Sequence, residues 1–147
     1  MSESAGKVDP RIIVLSGGVG AERDVSLKSG QSLADALESV GQVDLIDLVE
    51  TALPPEMDPL SQVVFPIIHG TFGEDGTLQA LLEEAGFAYA GCDSNSSRLC
   101  MHKGKSKDLV SEAGVRVAKD IRFLEPREVS AEAVSYTHLT LPTIVSV

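Results

Sequence analysis

Val63-Val64-Phe65-Pro66-Ile67-Ile68 runs directly into His69-Gly70-Thr71-Phe72-Gly73-Glu74-Asp75-Gly76, and Thr77-Leu78-Gln79-Ala80-Leu81-Leu82 follows. The first run is apolar at successive positions, as in a strand buried on both faces of a sheet. Leu78, Leu81, Leu82 and Ala85 instead recur at helical spacing. Strand, glycine-rich loop and helix, in that order, form the unit in which open α/β sheets hold ligands outside their carboxyl ends. Glycines and acids also suit such a loop on conformational grounds alone, and Asp75 reads as a cap for the helix. Turn geometry gives no such reason for a histidine directly at the strand end, which singles out His69.

The same unit recurs upstream. Arg11-Ile12-Ile13-Val14-Leu15-Ser16 is a short β-branched run without alternation, predicted as the first strand. Gly17-Gly18-Val19-Gly20 is a turn, and Asp24 or Ser26 can cap the helix that begins there. Val25, Ser29, Leu33, Ala36, Leu37 and Val40 are expected to form that helix's inward face. Gly41 ends it, and residues 43–49 are predicted as a second strand nearer the sheet edge. Three prolines between Leu53 and Pro59 make that stretch a surface connection, and the third strand is expected over 62–68.

Downstream, Gly86 stops the second helix and Phe87-Ala88-Tyr89-Ala90 is a short fourth strand. Gly91 to Ser94 form a turn that can cap a helix from about Asn95 to Ala113. That helix carries Arg98, Lys103, Lys105 and Lys107 in an otherwise acidic chain. Residues 115–124 are predicted as an extended segment. Strands and helices alternating at these intervals imply an α/β fold, a doubly wound and mostly parallel sheet.

The 147 residues suit one compact domain, and 43% hydrophobic with 23% charged residues is ordinary for a soluble globular chain. A formal net charge of −10 argues against wholesale binding to nucleic acid or to an anionic membrane. No run approaches the length of a membrane span, and the start lacks the form of a signal peptide, so a cytoplasmic location is expected. Cys92 and Cys100 form no Cys-x-x-Cys pair and read as free thiols. The histidines at 69, 102 and 138 are too scattered to propose a metal site, so metal, if used, comes through a nucleotide.

Gly17-Gly18-Val19-Gly20 misses the spacing of both the dinucleotide fingerprint and the lysine-containing P-loop. Glu22 stands just before the helix start, where its carboxylate disfavours an anion and suits an ammonium group. With His69 from the neighbouring strand end it offers one acid and one imidazole to a small polar ligand. The alternative roles are a helix-dipole partner for Glu22 and a first-turn hydroxyl for Ser26.

Three groups of residues carry a resemblance. Gly17-Gly18 with Ala21-Glu22-Arg23-Asp24-Val25-Ser26, His69-Gly70 with Gly73-Glu74-Asp75-Gly76 and Leu78-Gln79, and Gly91 leading to Met101-His102-Lys103 together resemble the amino-terminal domain of D-alanine–D-alanine ligases. The resemblance spans about residues 11–124 in the expected order. It implies a Rossmann-like or flavodoxin-like domain preceding an ATP-grasp fold. The implied enzyme uses ATP with Mg2+ to phosphorylate the carboxylate of one D-alanine, whose phosphate the amine of a second then displaces to give the peptidoglycan dipeptide. By the resemblance, Glu22 is the catalytic residue of this segment and holds the first D-alanine's ammonium. Ser26, His69 and Gly70 line the same subsite, and Lys103 reaches the ATP phosphates. Where the family usually has aspartate before that lysine, this chain has His102. A homodimer is implied as well.

The expected division is a lead-in over 1–10, the substrate domain over 11–124, the start of a linker over 125–133 and a tail over 134–147. Ser135-Tyr136-Thr137-His138-Leu139-Thr140-Leu141-Pro142-Thr143 resembles translated sequencing-adapter DNA, so the tail is expected to be non-native. Without the central and carboxyl-terminal ligase domains, the isolated chain is expected to be inactive. The alternatives are a segment of a D-alanine–D-lactate or D-alanine–D-serine ligase, and a small non-catalytic flavodoxin-like binding module.

Overall fold

In a computed structural model, residues 11–119 are described. The expected lead-in 1–10, the linker over 125–133 and the tail over 134–147 lie outside them. Among the described residues the elements are β1 (Arg11–Gly17), α1 (Arg23–Leu37), β2 (Val43–Leu48), β3 (Gln62–Pro66), α2 (Thr77–Glu84), β4 (Ala88–Tyr89), α3 (Ser94–Met101) and α4 (Lys103–Glu112). Contacts divide the chain into two compact units at Ser106 and Lys107, so the sheet and its helices through Ser106 form the first. The second contributes only residues 107–119 to the description; there Lys107 Nζ donates to Ala118 O at 3.1 Å, and residues 115–119 form no strand.

Every strand pairing is parallel, in the order β2-β1-β3-β4. Ile12 and Val14 point to one face with Ala34, flanked by Leu33 and Leu37 of α1. Ile13, Leu15 and Val64 point to the other with Leu78 and Leu82 of α2. Alternation along β1 therefore feeds two cores, one beneath each helix, which makes the sheet doubly wound. The chain moves from β1 outward to β2 and then crosses to β3 on the other side. Between β1 and β3 lies the switch point at which such sheets bind ligands.

Pro66 sits at the end of a central strand. Ile67 N donates to Leu15 O at 2.8 Å, so pairing with β1 continues past the proline. On the β4 side pairing closes at Ala90 N to Val64 O, 2.9 Å. Proline brings no N–H to extend it there, and the loop is free to leave the sheet.

Three expectations are corrected. The inward face of α1 is Ser26, Gly30 and Ala34, with Leu33 and Leu37 half-buried, whereas Val25, Ala36 and Val40 are exposed. The cause is close packing: a Cβ on Gly30 would overlap Ser16 Cβ, so this helix meets the sheet through its smallest residues. Neither Asp24 nor Ser26 caps α1; Glu22 occupies the cap position and makes no side-chain cap bond. The helix expected over 95–113 is two helices. His102, with ψ 83°, breaks it, and its ring Nδ1 accepts from Lys105 N at 3.2 Å to start α4. By contrast, Asp93 caps α3 as expected, accepting from Ser96 N at 2.7 Å.

Candidate functional site

Two loops meet at the switch point. The first, after β1, is pinned by Arg23, whose guanidinium donates to Gly18 O at 3.1 Å and Leu48 O at 3.3 Å and pairs with Asp47 at 2.6 Å. Gly18 has φ +92°, and a Cβ there would stand 2.7 Å from Ile68 Cγ2, so glycine lets the two loops touch. Glu22 follows. Its backbone C=O accepts from Val25 N and Ser26 N to begin α1, while its side chain makes no cap bond.

The second loop, after β3, is tightly determined. Phe72 is buried at 5% exposure with φ +77°, a conformation that costs free energy for a non-glycine residue and is held here by packing. Its carbonyl accepts from Leu78 N at 3.0 Å at the start of α2. Asp75 Oδ1 accepts from Thr77 N at 2.9 Å, but Gly76, not Asp75, occupies the cap position of α2, so the expected cap role falls one residue away. Burial pushes the Asp75 carboxyl up, but hydrogen bonds from Thr77 and the Phe72 backbone, with the charge of Arg98, outweigh it and hold the group below its ordinary value. Gln79 Nε2 donates to Gly73 O at 2.8 Å and ties the loop's middle to α2.

His69 is gripped from three sides. Its N–H donates to Ser26 Oγ at 2.8 Å, its Nε2 lies 3.4 Å from Ser29 Oγ, and its Nδ1 lies 3.9 Å from Glu74 Oε1. Glu74 Oε2 also accepts from Gly70 N at 2.7 Å. A Cβ on Gly70 would stand 3.7 Å from Glu22 Cδ, which sets the Glu22 carboxyl beside that glycine. His69 and Glu74 further line a cavity of about 290 Å³ with Gln79, Cys92, Ser97 and Cys100. The site thus presents two carboxylates and one imidazole, a setting for an ammonium group.

Four of the five expected site residues come together: Glu22, Ser26, His69 and Gly70. Ser26 is fully buried, and its hydroxyl holds the His69 backbone. Lys103 is exposed at the first position of α4. Ser29, expected only on the inward face of α1, and Glu74, expected only as part of the loop motif, were not among the expected site residues. Ser29 lies one turn beyond Ser26, and that spacing was the available signal. Among the described residues no group of three or more His, Cys, Asp or Glu side chains could hold a metal ion.

Comparison with known proteins gives one consistent result. The family profile described as "D-ala D-ala ligase N-terminus" matches residues 43–92. A D-alanine–D-alanine ligase of Thermotoga petrophila is 47% identical over 125 residues, covering 80% of this chain and 38% of that protein. One from Halalkalibacterium halodurans is 38% identical over 136 residues, covering 92% of this chain and 44% of that protein. The crystal structure of a Bacillus anthracis D-alanine–D-alanine ligase complexed with ATP superposes with a TM-score of 0.70 at 28% identity, covering 88% of this chain and 45% of that one. The chain spans less than half the length of these relatives. Over the span it shares with them, it belongs to the D-alanine–D-alanine ligase family, as an amino-terminal domain.

Proposed function

We propose that the chain is the amino-terminal part of an ATP-dependent D-alanine–D-alanine ligase, and that the loops after β1 and β3 form the subsite of the first D-alanine. The observation that carries this reading is the meeting of the Glu22 carboxyl with Gly70 across the switch point, beside the clamped His69. Glu22 holds the ammonium group through charge-assisted hydrogen bonds. His69 faces the reacting carboxylate, and Gly70 leaves room for the substrate against the loop. Ser26 fixes the histidine's backbone, while Glu74 holds the Gly70 amide. ATP, when bound, supplies the phosphoryl group that activates the carboxylate, and Lys103 reaches its phosphates. Mg2+ is held mainly by the remaining ligase domains and the ATP phosphates. Residues 11–124 make up the substrate domain. The whole enzyme acts in the cytoplasm as a homodimer; among the described residues no helix is long and apolar enough to cross a membrane.

The test replaces the first domain of a full-length ligase with this chain. The hybrid is expected to form D-alanyl-D-alanine, and Glu22→Gln in it to lower kcat/KM for D-alanine by about a hundredfold, the scale of losing one charged anchor. Unchanged kinetics in that variant would remove the assignment of Glu22. The 147-residue chain by itself is expected to show no D-alanine-dependent ATP hydrolysis in a coupled assay.

A further inference from the structure

Beside the break between α3 and α4 lies a second cavity, of about 260 Å³, lined by Asn95, Arg98, Leu99, His102 and Lys105. Its polar groups can be assigned one at a time. Asn95 Oδ1 accepts from Arg98 Nη1 at 3.3 Å, and the amide also offers its two N–H donors. His102 Nδ1 accepts from Lys105 N, so the ring's proton is on Nε2, again a donor. Arg98 and Lys105 carry only donors and a positive charge each. No carboxylate lines the cavity, although the chain as a whole carries a net charge of −10. Asp75 and Glu83, whose carboxyls the Arg98 charge helps to hold low, are not among the lining residues.

Apart from the second lone pair of Asn95 Oδ1, the side-chain polar groups of this cavity donate, and two are cationic. We propose that the cavity is a binding site for a phosphate-type oxyanion, held by Arg98, Lys105 and His102 Nε2–H. The ligand is acceptor-only and multiply charged, so it matches the lining both in hydrogen bonding and in charge. The site is separate from Lys103, which does not line it.

The test is titration of the 147-residue chain with inorganic phosphate at constant ionic strength, followed by ¹H–¹⁵N shifts of residues 102–105 and the His102 ring. A saturable shift is expected, weakened by about tenfold or more in Arg98→Gln and in Lys105→Gln, the loss of one charged hydrogen bond each. It is expected to be unchanged in Lys28→Gln, the same charge removed from an exposed position on α1. His102→Asp keeps an acceptor at the start of α4 but brings a negative charge into the cavity, and so abolishes binding while leaving the helices intact by circular dichroism. A parallel titration with ATP distinguishes a nucleotide's phosphates from free phosphate as the ligand. Shifts reproduced by sodium chloride at equal ionic strength, or lost equally in Lys28→Gln, would overturn the proposal.

Discussion

The two faces of the sheet are built on opposite rules. Under α2, large apolar side chains fill the space: Ile13, Leu15, Leu78 and Leu82 are each at most 1% exposed. Under α1, the contact runs through Ser16, Ser26, Gly30 and Ala34, and the helix lies close on β1. The α2 face supplies apolar burial, the main driving force of folding. The α1 face supplies less apolar area but brings Ser26 within hydrogen-bonding distance of the His69 backbone. One face carries stability, and the other carries the position of the site.

That contrast can be broken most strongly at Leu82. Leu82→Ala empties part of the larger core and is expected to lower unfolding free energy by about 3 kcal/mol, measured by urea denaturation. The α1 face should fail in the opposite way, by added bulk. Gly30→Val drives a branched side chain into Ser16 and is expected to cost about 2 kcal/mol. If Gly30→Val were neutral, close approach would not be what organises this face. Ser26→Ala leaves the half-buried His69 N–H without its partner, for about 1 kcal/mol. Its sharper signature is local: hydrogen exchange at the His69 amide should accelerate well beyond the change at Val64.

The smallest effect is a pH window at the far edge of the α2 face. Glu83 accepts from Ser94 Oγ at 2.7 Å, Tyr89 OH at 2.7 Å and Ser94 N at 2.8 Å, and these bonds hold its carboxyl below the ordinary value. Its contribution is present above the unfolded carboxylate pKa and lost as pH falls through the lowered folded one. Burial, then the Glu83 hydrogen bond, pushes the Tyr89 phenol up to about 12 from its ordinary 10.0. Its contribution is therefore full below pH 10 and lost as pH rises toward 12. Tyr89→Phe should remove the alkaline loss seen in denaturation midpoints and leave the α1 face unaffected.

The residues that define the switch-point loops were readable because their roles are local. A histidine at a strand end, glycines at the turns and an acid before a helix are all short-range patterns. Lys103 was equally visible as part of a basic run, but nothing local showed that it stands at the start of a new helix, α4, after the break at His102. A histidine gave no sign of being a cap, since that role depends on its ring reaching the third residue of the following helix.

By itself, the sequence determined β1, β3 and α2, the loop from His69 to Gly76 and the family to which they point, because strand and helix periods and turn chemistry act within a few residues. Only the tertiary structure decided which side of α1 faces inward, where the long helix breaks and that Glu22 meets Gly70. Small residues such as Ser26 and Gly30 carry almost no hydrophobic signal along the chain. Their burial depends on what lies opposite, and Ser16 and His69 are brought there only when the sheet is assembled.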